Sequence, residues 1–281
     1  MSALALGLVA AVAWAIHDII VRRVSQGAPL MACLLAVLLV GAVFHVGAMA
    51  ATGGFTPIGG AAAGYAALAG GFFLLASVGL YKAFQRGPVR LVSPIIASYP
   101  VLSVAWAALS GASVSPLQWG AVLAIAFGVS MVAALADDGA EDVPPKGPTI
   151  LWAAVSAIGF AATFALGQHA AEMAGEMPAT LVTRLVTIAL LAGGMAWLRL
   201  PWWPGRAALP FLAMMGVLDG IALLAVLKAG GLPDAQYAAV AASMFGLLTI
   251  VMAWMFLRER MGAAQWLGCA IAFAGIGYLA L

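Results

Sequence analysis

Ten apolar stretches, each long enough to cross a lipid bilayer as a helix, occupy almost the whole chain. Crossing the hydrocarbon core takes about 20 apolar residues of α-helix. Backbone groups in lipid must be hydrogen-bonded within their own segment, so continuous stretches of this length are helices rather than barrel strands. The sequence therefore predicts an all-α polytopic membrane protein. Its expected spans are residues 3–21, 30–51, 61–84, 90–110, 116–136, 149–170, 177–199, 206–229, 235–256 and 262–280.

The composition agrees with a chain embedded in lipid and excludes several other classes of protein. Of the 281 residues 65% are apolar and 8% are charged, and the mean hydropathy is +1.11; an ordinary soluble domain is about 25% charged. The net charge of +2 and the lack of a basic block argue against a nucleic-acid partner. Both cysteines lie inside predicted spans, so neither a disulfide framework nor a cysteine-based metal site is expected. Residues 1–21 lack the basic flank and cleavage site of a signal peptide and are interpreted as the first span.

The spans divide into two related sets of five, residues 1–136 and 149–281. Three matches recur in the same order: residues 10–12 with 153–155, residues 80–83 with 226–229, and the Gln-Trp pair at 118–119 with the pair at 265–266. Residues 137–148 between the sets are acidic and rich in Pro and Gly, which is typical of a solvated linker. Because each set has an odd number of spans, the second must lie upside down relative to the first. This arrangement is typical of inverted-repeat transporters.

Positive charge is concentrated on one side of the predicted bundle, which we call the odd-loop face because it holds the loops after spans one, three, five, seven and nine. Cytoplasmic loops are enriched in Lys and Arg, so this face is expected in the cytoplasm of a bacterial-type inner membrane, with both termini on the other side. The alternative topology, in which both termini lie in the cytoplasm, is less favoured. The odd-loop face carries ten of the twelve cations: Arg22, Arg23, Lys82, Arg86, Arg90, Lys146, Arg199, Arg206, Arg258 and Arg260.

The C-terminal segment carries a family resemblance. Residues 257–268 read Leu-Arg-Glu-Arg-Met-Gly-Ala-Ala-Gln-Trp-Leu-Gly and precede an apolar run with Gly275 and Gly277. This segment resembles the end of an EamA-type repeat of the drug/metabolite transporter superfamily, whose five-plus-five layout covers the whole chain. The resemblance implies a secondary carrier, often an exporter of amino acids or other small metabolites. The size, aromatic content and sparse charge are similar to those of the aromatic amino acid and methionine exporters of that family.

The family's acidic residue before its last span corresponds to Glu259. The first half departs from the pattern, because Gly-Ala-Ser stands at residues 111–113 where an acidic residue would be expected. This departure favours a local structural role for Glu259 over that of a symmetric substrate ligand.

A carrier of this kind needs a substrate site near the middle of the bilayer, where helices are interrupted. Pro94 and Pro100 interrupt span four, and Gly246 of span nine aligns with Pro100. Packing and interface anchoring are the alternative interpretation of each aromatic side chain. The predicted substrate-binding residues are the aromatic and polar groups that share helix faces: Trp14 and His17 on span one, Phe73, Ser77 and Tyr81 on span three, Tyr99, Ser103 and Trp106 on span four, and Phe245 and Thr249 on span nine.

Ionisable residues inside the spans form a second set of candidates, because charge is costly in lipid. Arg184 of span seven and Asp219 of span eight lie at depths that allow an ion pair; if Arg184 is unpaired, it could instead bind a substrate carboxylate. Asp18 could pair with Arg22 one helical turn later. His17 could titrate near neutral pH and gate proton coupling, or be an ordinary histidine at a helix end.

Two lysines occupy equivalent positions in the two halves, Lys82 at the end of span three and Lys228 at the end of span eight. They either extend to lipid headgroups or flank the mouths of a cavity and attract carboxylates.

Together these features favour a secondary transporter that exports small amphipathic metabolites, in particular amino acids with aromatic or apolar side chains. Efflux of cationic drugs is the alternative, and it would need Asp219 to be free of Arg184. An intramembrane enzyme is less favoured, because the three histidines are widely spaced and no paired-acid or His-Glu-x-x-His pattern occurs. The sequence has no Walker A pattern, so ATP is not expected to drive transport directly. The expected partners are the lipid bilayer and a small-molecule substrate, with no metal and no cofactor, and a monomer is compatible with this function.

Overall fold

The computed structural model describes residues 2–53, 55–109, 111, 113–135, 145–230, 232 and 241–279, with the side chains of residues 103, 107, 227 and 230 outside the described set. All regular structure within these ranges is helical, which confirms the predicted fold class. The helices are α1 Ala3–Val24, α2 Leu30–Thr52, α3 Gly60–Arg86, α4 Val89–Ala97, α5 Tyr99–Leu109, α6 Pro116–Ala134, α7 Lys146–Ala174, α8 Glu176–Trp197, α9 Leu209–Gly230, α10 Phe245–Phe256 and α11 Ala263–Leu279.

Within the described residues, eight helical spans are long and apolar enough to cross a membrane, and the shorter apolar helices Ala241–Phe256 and Ala263–Leu279 complete the predicted ten. Most of the predicted linker lies outside the described residues. Its last three residues, 146–148, form the first turn of α7. Pro148 is tolerated there because the first-turn amides of a helix have no intrahelical partner.

Spans four and nine are interrupted at equivalent positions. Span four consists of α4 and α5, which are separated at Ser98 (φ −79°, ψ 3°). Span nine bends in the same way at Met244 (φ −75°, ψ 0°), just before α10. Pro100 favours the first break because a proline lacks an amide donor and restricts the residue before it. At the second break Gly246 takes the place of proline, so the two repeats share the break without sharing its cause.

The helices of the two repeats pack in matching pairs. Span three (α3) packs against span six (α7), and its counterpart, span eight (α9), packs in the same way against span one (α1). Span three also contacts span seven (α8), as span eight contacts span two (α2). Spans five and ten, α6 and α11, pack against each other across the same pseudo-two-fold relation. The structure therefore has the packing expected of two related five-helix units.

Glycines define the register between the repeats. A Cβ on Gly70 of α3 would meet the Thr183 carbonyl oxygen and the Val186 side chain of α8, at 2.7 and 2.9 Å. A Cβ on Gly216 of α9 would meet the Val37 carbonyl oxygen and the Val40 side chain of α2, at 2.9 and 2.6 Å. Each of these positions is separated from its counterpart by 146 residues. Small residues allow such close backbone approach between membrane helices.

The repeated Gln-Trp pair has a physical role at the start of each last span. In the first half the Gln118 Oε1 accepts the Ser115 amide at 2.8 Å, which closes a capping box with Pro116 at the first helical position. In the second half the Gln265 Oε1 accepts the Gly262 amide at 3.0 Å. Gln265 also donates to the Leu135 carbonyl at 3.1 Å, and this bond ties the start of α11 to the end of α6.

The largest apolar core lies toward the odd-loop face, where α1 and α3 end and α2 begins; its members include Val21, Leu34 and Phe84, which are almost fully buried. The Arg22 guanidinium is tied into this region, because it donates to the carbonyls of Phe84 (2.6 Å) and Gln85 (3.3 Å). The opposite end is held by smaller clusters made mainly of alanines. The described part of the bundle is therefore packed most tightly at the odd-loop face.

Glu259 joins the two repeats at this same face. Its carboxylate accepts the backbone amides of Val89 (2.8 Å) and Arg90 (3.0 Å), the first two residues of α4. The Arg90 guanidinium donates in return to the Arg260 carbonyl. A carboxylate at a helix N-terminus satisfies amides that lack intrahelical acceptors and interacts favourably with the helix dipole. Glu259 thus has a structural contact at the packed end of the bundle, far along the chain from the helix that it caps.

Candidate functional site

An ion pair joins α8 to the middle of α9. Asp219 is at the midpoint of α9, and its Oδ2 is 2.6 Å from the Nη2 of Arg184 on α8. The Arg184 side chain is 5% exposed, whereas that of Asp219 is 22% exposed. The carboxylate is therefore the member of the pair that a bound molecule can reach first.

The Arg184 guanidinium fits against α2 because position 41 is glycine; a Cβ on Gly41 would collide with its Nη1 atom. Within the described residues, its Nε and Nη1 atoms have no hydrogen-bond partner. His45, also on α2, is buried, and its Nε2 atom is 3.0 Å from the Met177 carbonyl oxygen. Since buried guanidinium donors are expensive to leave unpaired, the site has unused capacity to bind an acceptor such as a carboxylate.

Helix α1 brings an aromatic ring and a second carboxylate to the ion pair. The Trp14 side chain lies beside Asp219 and stands edge-to-face on the Phe245 ring, with centroids 6.0 Å apart. Asp18 lies 3.3 Å from the Nδ1 of His17. The Thr249 hydroxyl donates to the Phe245 carbonyl at 2.8 Å and also contacts Asp18. We call His17, Asp18, Arg184 and Asp219 the ionisable cluster.

This arrangement corrects one sequence prediction. Asp18 does not pair with Arg22: its carboxylate turns to His17, and Arg22 binds the carbonyls at the end of α3 instead. Burial explains the difference, because Asp18 is 4% exposed and faces the bundle interior, whereas the Arg22 guanidinium reaches the helix end, where carbonyls lack amide partners.

Tyr81 of α3 is a member of the apolar core at the odd-loop face and lies within electrostatic range of the ionisable cluster. It is 3% exposed, and its hydroxyl is close enough to interact electrostatically with both Asp18 and Asp219. Among the described residues this hydroxyl has no hydrogen-bond partner. A buried hydroxyl normally has one, so the Tyr81 hydroxyl is available to a bound polar group.

A second cluster, formed by Phe73, Tyr99, Phe160 and Phe164, is purely aromatic; we call it the aromatic cluster. Phe73 of α3 lies 6.3 Å from Phe160 of α7, ring centroid to ring centroid. Phe160 stacks on Phe164 at 6.1 Å, and Phe164 lies 5.1 Å from Tyr99 of α5. These separations are typical of favourable aromatic contacts.

The two clusters, each built from both repeats, occupy places that the pseudo-two-fold relation exchanges. The separation of 146 residues places Phe73 at the counterpart of Asp219, and Leu38 at the counterpart of Arg184. The match of residues 10–12 with 153–155 in the same way places Phe160 at the counterpart of His17. Pseudo-symmetry is thus preserved in the backbone and broken in the chemistry, with charge on one side and aromatic rings on the other.

The remaining predicted residues lie in different settings. Ser77 is buried on α3, whereas Trp106 is 64% exposed and lies apart from both clusters. The Ser103 side chain lies outside the described residues. Lys82 is half-buried at the end of α3, and Lys228 is exposed at the end of α9. The sequence interpretation did not select Phe160 and Phe164, although aligning the repeats through residues 10–12 would have placed Phe160 opposite His17.

Comparisons with known proteins agree with this architecture. Residues 1–134 and, separately, 147–281 match the EamA-like transporter family. The chain belongs to the EamA-like transporter family. A relative from Sinorhizobium sp., named "Uncharacterized transporter in cobO 3'region", is 30% identical over 134 residues, which cover 46% of this chain and 94% of the relative. A solved structure titled "Crystal structure of protein" matches with a TM-score of 0.68 and 18% identity, over 98% of this chain and 94% of that one, which is a likeness of fold alone.

Membership of the EamA-like family makes this chain a polytopic membrane transporter. The family match spans both halves, yet Asp219 and Arg184 have the uncharged counterparts Phe73 and Leu38 in the first repeat. The family assignment therefore explains the scaffold, and the chemistry of transport has to be derived from the residues that differ between the repeats.

Proposed function

We propose that this EamA-like transporter exports small amphipathic metabolites, in particular amino acids with aromatic or apolar side chains, by alternating access. The observation that carries the proposal is the Arg184–Asp219 ion pair at mid-span, with Trp14 beside the carboxylate and the aromatic cluster at the equivalent place across the pseudo-two-fold relation. An amino acid combines an ammonium group, a carboxylate and a side chain. The pair offers an acceptor to the first and free guanidinium donors to the second.

Efflux of cationic drugs is less well supported by the same contacts. A cation-specific site needs a deep carboxylate without a counter-charge, yet Asp219 is held at 2.6 Å by Arg184 and Asp18 lies beside His17. Binding a bare cation would leave Arg184 without its partner in a buried position, which is costly. A zwitterion avoids this cost because it brings its own anion.

The breaks at Ser98 and Met244 suit a rocking motion of the two repeats. Short non-helical positions absorb changes in backbone angles during such motions, and inverted-repeat carriers bind substrate between units that rock about a central site. Tight packing at the odd-loop face, with Glu259 capping α4, supports a state that is closed at that end.

For orientation, we propose that the odd-loop face is cytoplasmic, because it carries ten of the twelve Lys and Arg residues. A reporter enzyme that works only in the cytoplasm is expected to stay inactive when it is fused after Leu281. The same reporter fused after Leu200, in the loop that follows α8, is expected to be active. Strong activity after Leu281 would overturn this orientation.

The transport proposal is tested with purified protein in proteoliposomes. Vesicles loaded with an unlabelled aromatic amino acid are expected to take up the labelled form by counterflow, with saturation and with competition from other apolar amino acids. Protein-free vesicles give the background. If no amino acid moves while a quaternary ammonium dye does, drug efflux replaces amino acid export as the function.

A further inference from the structure

We propose that the ionisable cluster and the aromatic cluster form two different halves of one binding site: Asp219, Arg184 and Trp14 bind the charged backbone group of an amino acid, and Phe73 and Phe160 bind its side chain. This assignment rests on the proposed function. It adds the residues that decide which amino acids are selected.

The depth of the two clusters supports a shared site. Phe73 is the central residue of α3, and Asp219 lies at the middle of α9. They are counterparts in the glycine-defined register, and a two-fold axis in the membrane plane places counterparts at equal depth on opposite sides of the centre. A molecule bound at the centre therefore meets a carboxylate from one repeat and an aromatic ring from the other.

Exposure supports the same placement. Phe73, Phe160 and Trp14 are each partly exposed despite lying between packed helices, and 22% of the Asp219 side chain is accessible. By contrast, apolar side chains near the odd-loop face, such as Phe84, are fully buried. One carboxylate and three aromatic rings near mid-span are thus each partly accessible, and binding pockets for amphipathic ligands combine such groups.

The unused polar atoms point to the orientation of the ligand. The Nε and Nη1 atoms of Arg184 and the Tyr81 hydroxyl have no partner within the described residues, and both groups are more than nine-tenths buried. Arg184 lies directly beside Asp219, and the Tyr81 hydroxyl is within electrostatic range of that carboxylate. The aromatic cluster carries no charged group and offers the ring surfaces of Phe73 and Phe160 to a ligand. A zwitterionic head group therefore binds on the ionisable side, and an apolar side chain points toward α3 and α7.

The test measures selectivity rather than overall activity. Phe73→Leu and Phe160→Leu keep an apolar group of similar size but remove the ring. Each is expected to lower kcat/KM for phenylalanine relative to that for alanine by about 2- to 10-fold, the value of one aromatic contact. Phe127→Leu, at a lipid-exposed position on α6, is the matched control and is expected to leave the ratio unchanged.

Each outcome bears on the assignment. An unchanged phenylalanine-to-alanine ratio in both folded variants, or an equal loss for both substrates, overturns the side-chain role while the transport function stands. Folding is checked by thermal unfolding in detergent, and two independent positions guard against one variant that fails to fold. A wild-type protein that moves no amino acid would overturn the proposed function and the assignment with it.

Discussion

Asp219→Asn is expected to reduce amino acid transport by at least about 10-fold for every substrate, whatever its side chain. The variant keeps the size of the side chain but removes the charge that faces Arg184 at 2.6 Å. Removing one partner of a buried ion pair leaves the other charge uncompensated and costs about 3–5 kcal/mol. The variant should therefore also unfold at a lower temperature. Initial rates in proteoliposomes and thermal unfolding in detergent measure the two effects.

A double variant separates stability from transport. Arg184→Gln combined with Asp219→Asn removes both charges, so much of the lost stability is expected to return while transport stays low. The matched control is Glu172→Gln, because Glu172 lies beside His169 in an exposed pair and exposed pairs contribute little. Wild-type transport by Asp219→Asn would show that the ion pair is not part of the substrate site.

Glu259→Ala is expected to lower stability by about 2 kcal/mol and to loosen the odd-loop face. The substitution removes the acceptor of two α4 amides, and losing a side-chain acceptor at a helix N-terminus costs up to about 2 kcal/mol. The two native cysteines report where the bundle loosens. Cys33 is fully buried in the core at the odd-loop face, and Cys269 is fully buried between α6 and α11. Maleimide labelling of Cys33 should rise several-fold, whereas labelling of Cys269 should change little.

Glu259→Gln provides the comparison, because it keeps the shape and one acceptor oxygen and is expected to give an intermediate effect. Equal labelling of both cysteines in the alanine variant would indicate general unfolding rather than opening at one end. Unchanged labelling together with unchanged stability would show that Glu259 does not hold the two repeats together.

Much of the scaffold could be predicted from local properties of the chain. Span length and hydropathy predict helices because lipid allows few other structures, and the break near Pro100 follows from a missing amide donor. The repeated Gln-Trp pair also acts locally, since Gln118 and Gln265 each bond an amide three residues earlier. The break at Met244 has no proline to announce it, and only the alignment with span four indicated that position.

The site was predicted less completely. Trp14, Phe245 and Thr249 were selected from shared helix faces, and the structure brings them together beside Asp18 and Asp219. Trp106 was selected by the same spacing but lies on an exposed surface. A helical face is visible in the sequence, but the neighbour that this face meets is not.

The sequence by itself determined the number of spans, their helical character and the relation between the two halves, because these depend on residues close together in the chain. Only the tertiary structure decided that Asp18 turns to His17 rather than Arg22, that Glu259 caps α4, and that Phe73 lies against Phe160 of α7. These contacts depend on the depth, rotation and crossing of helices that are far apart in sequence. Small glycines and buried charges set that geometry together, and no spacing within a single span records it.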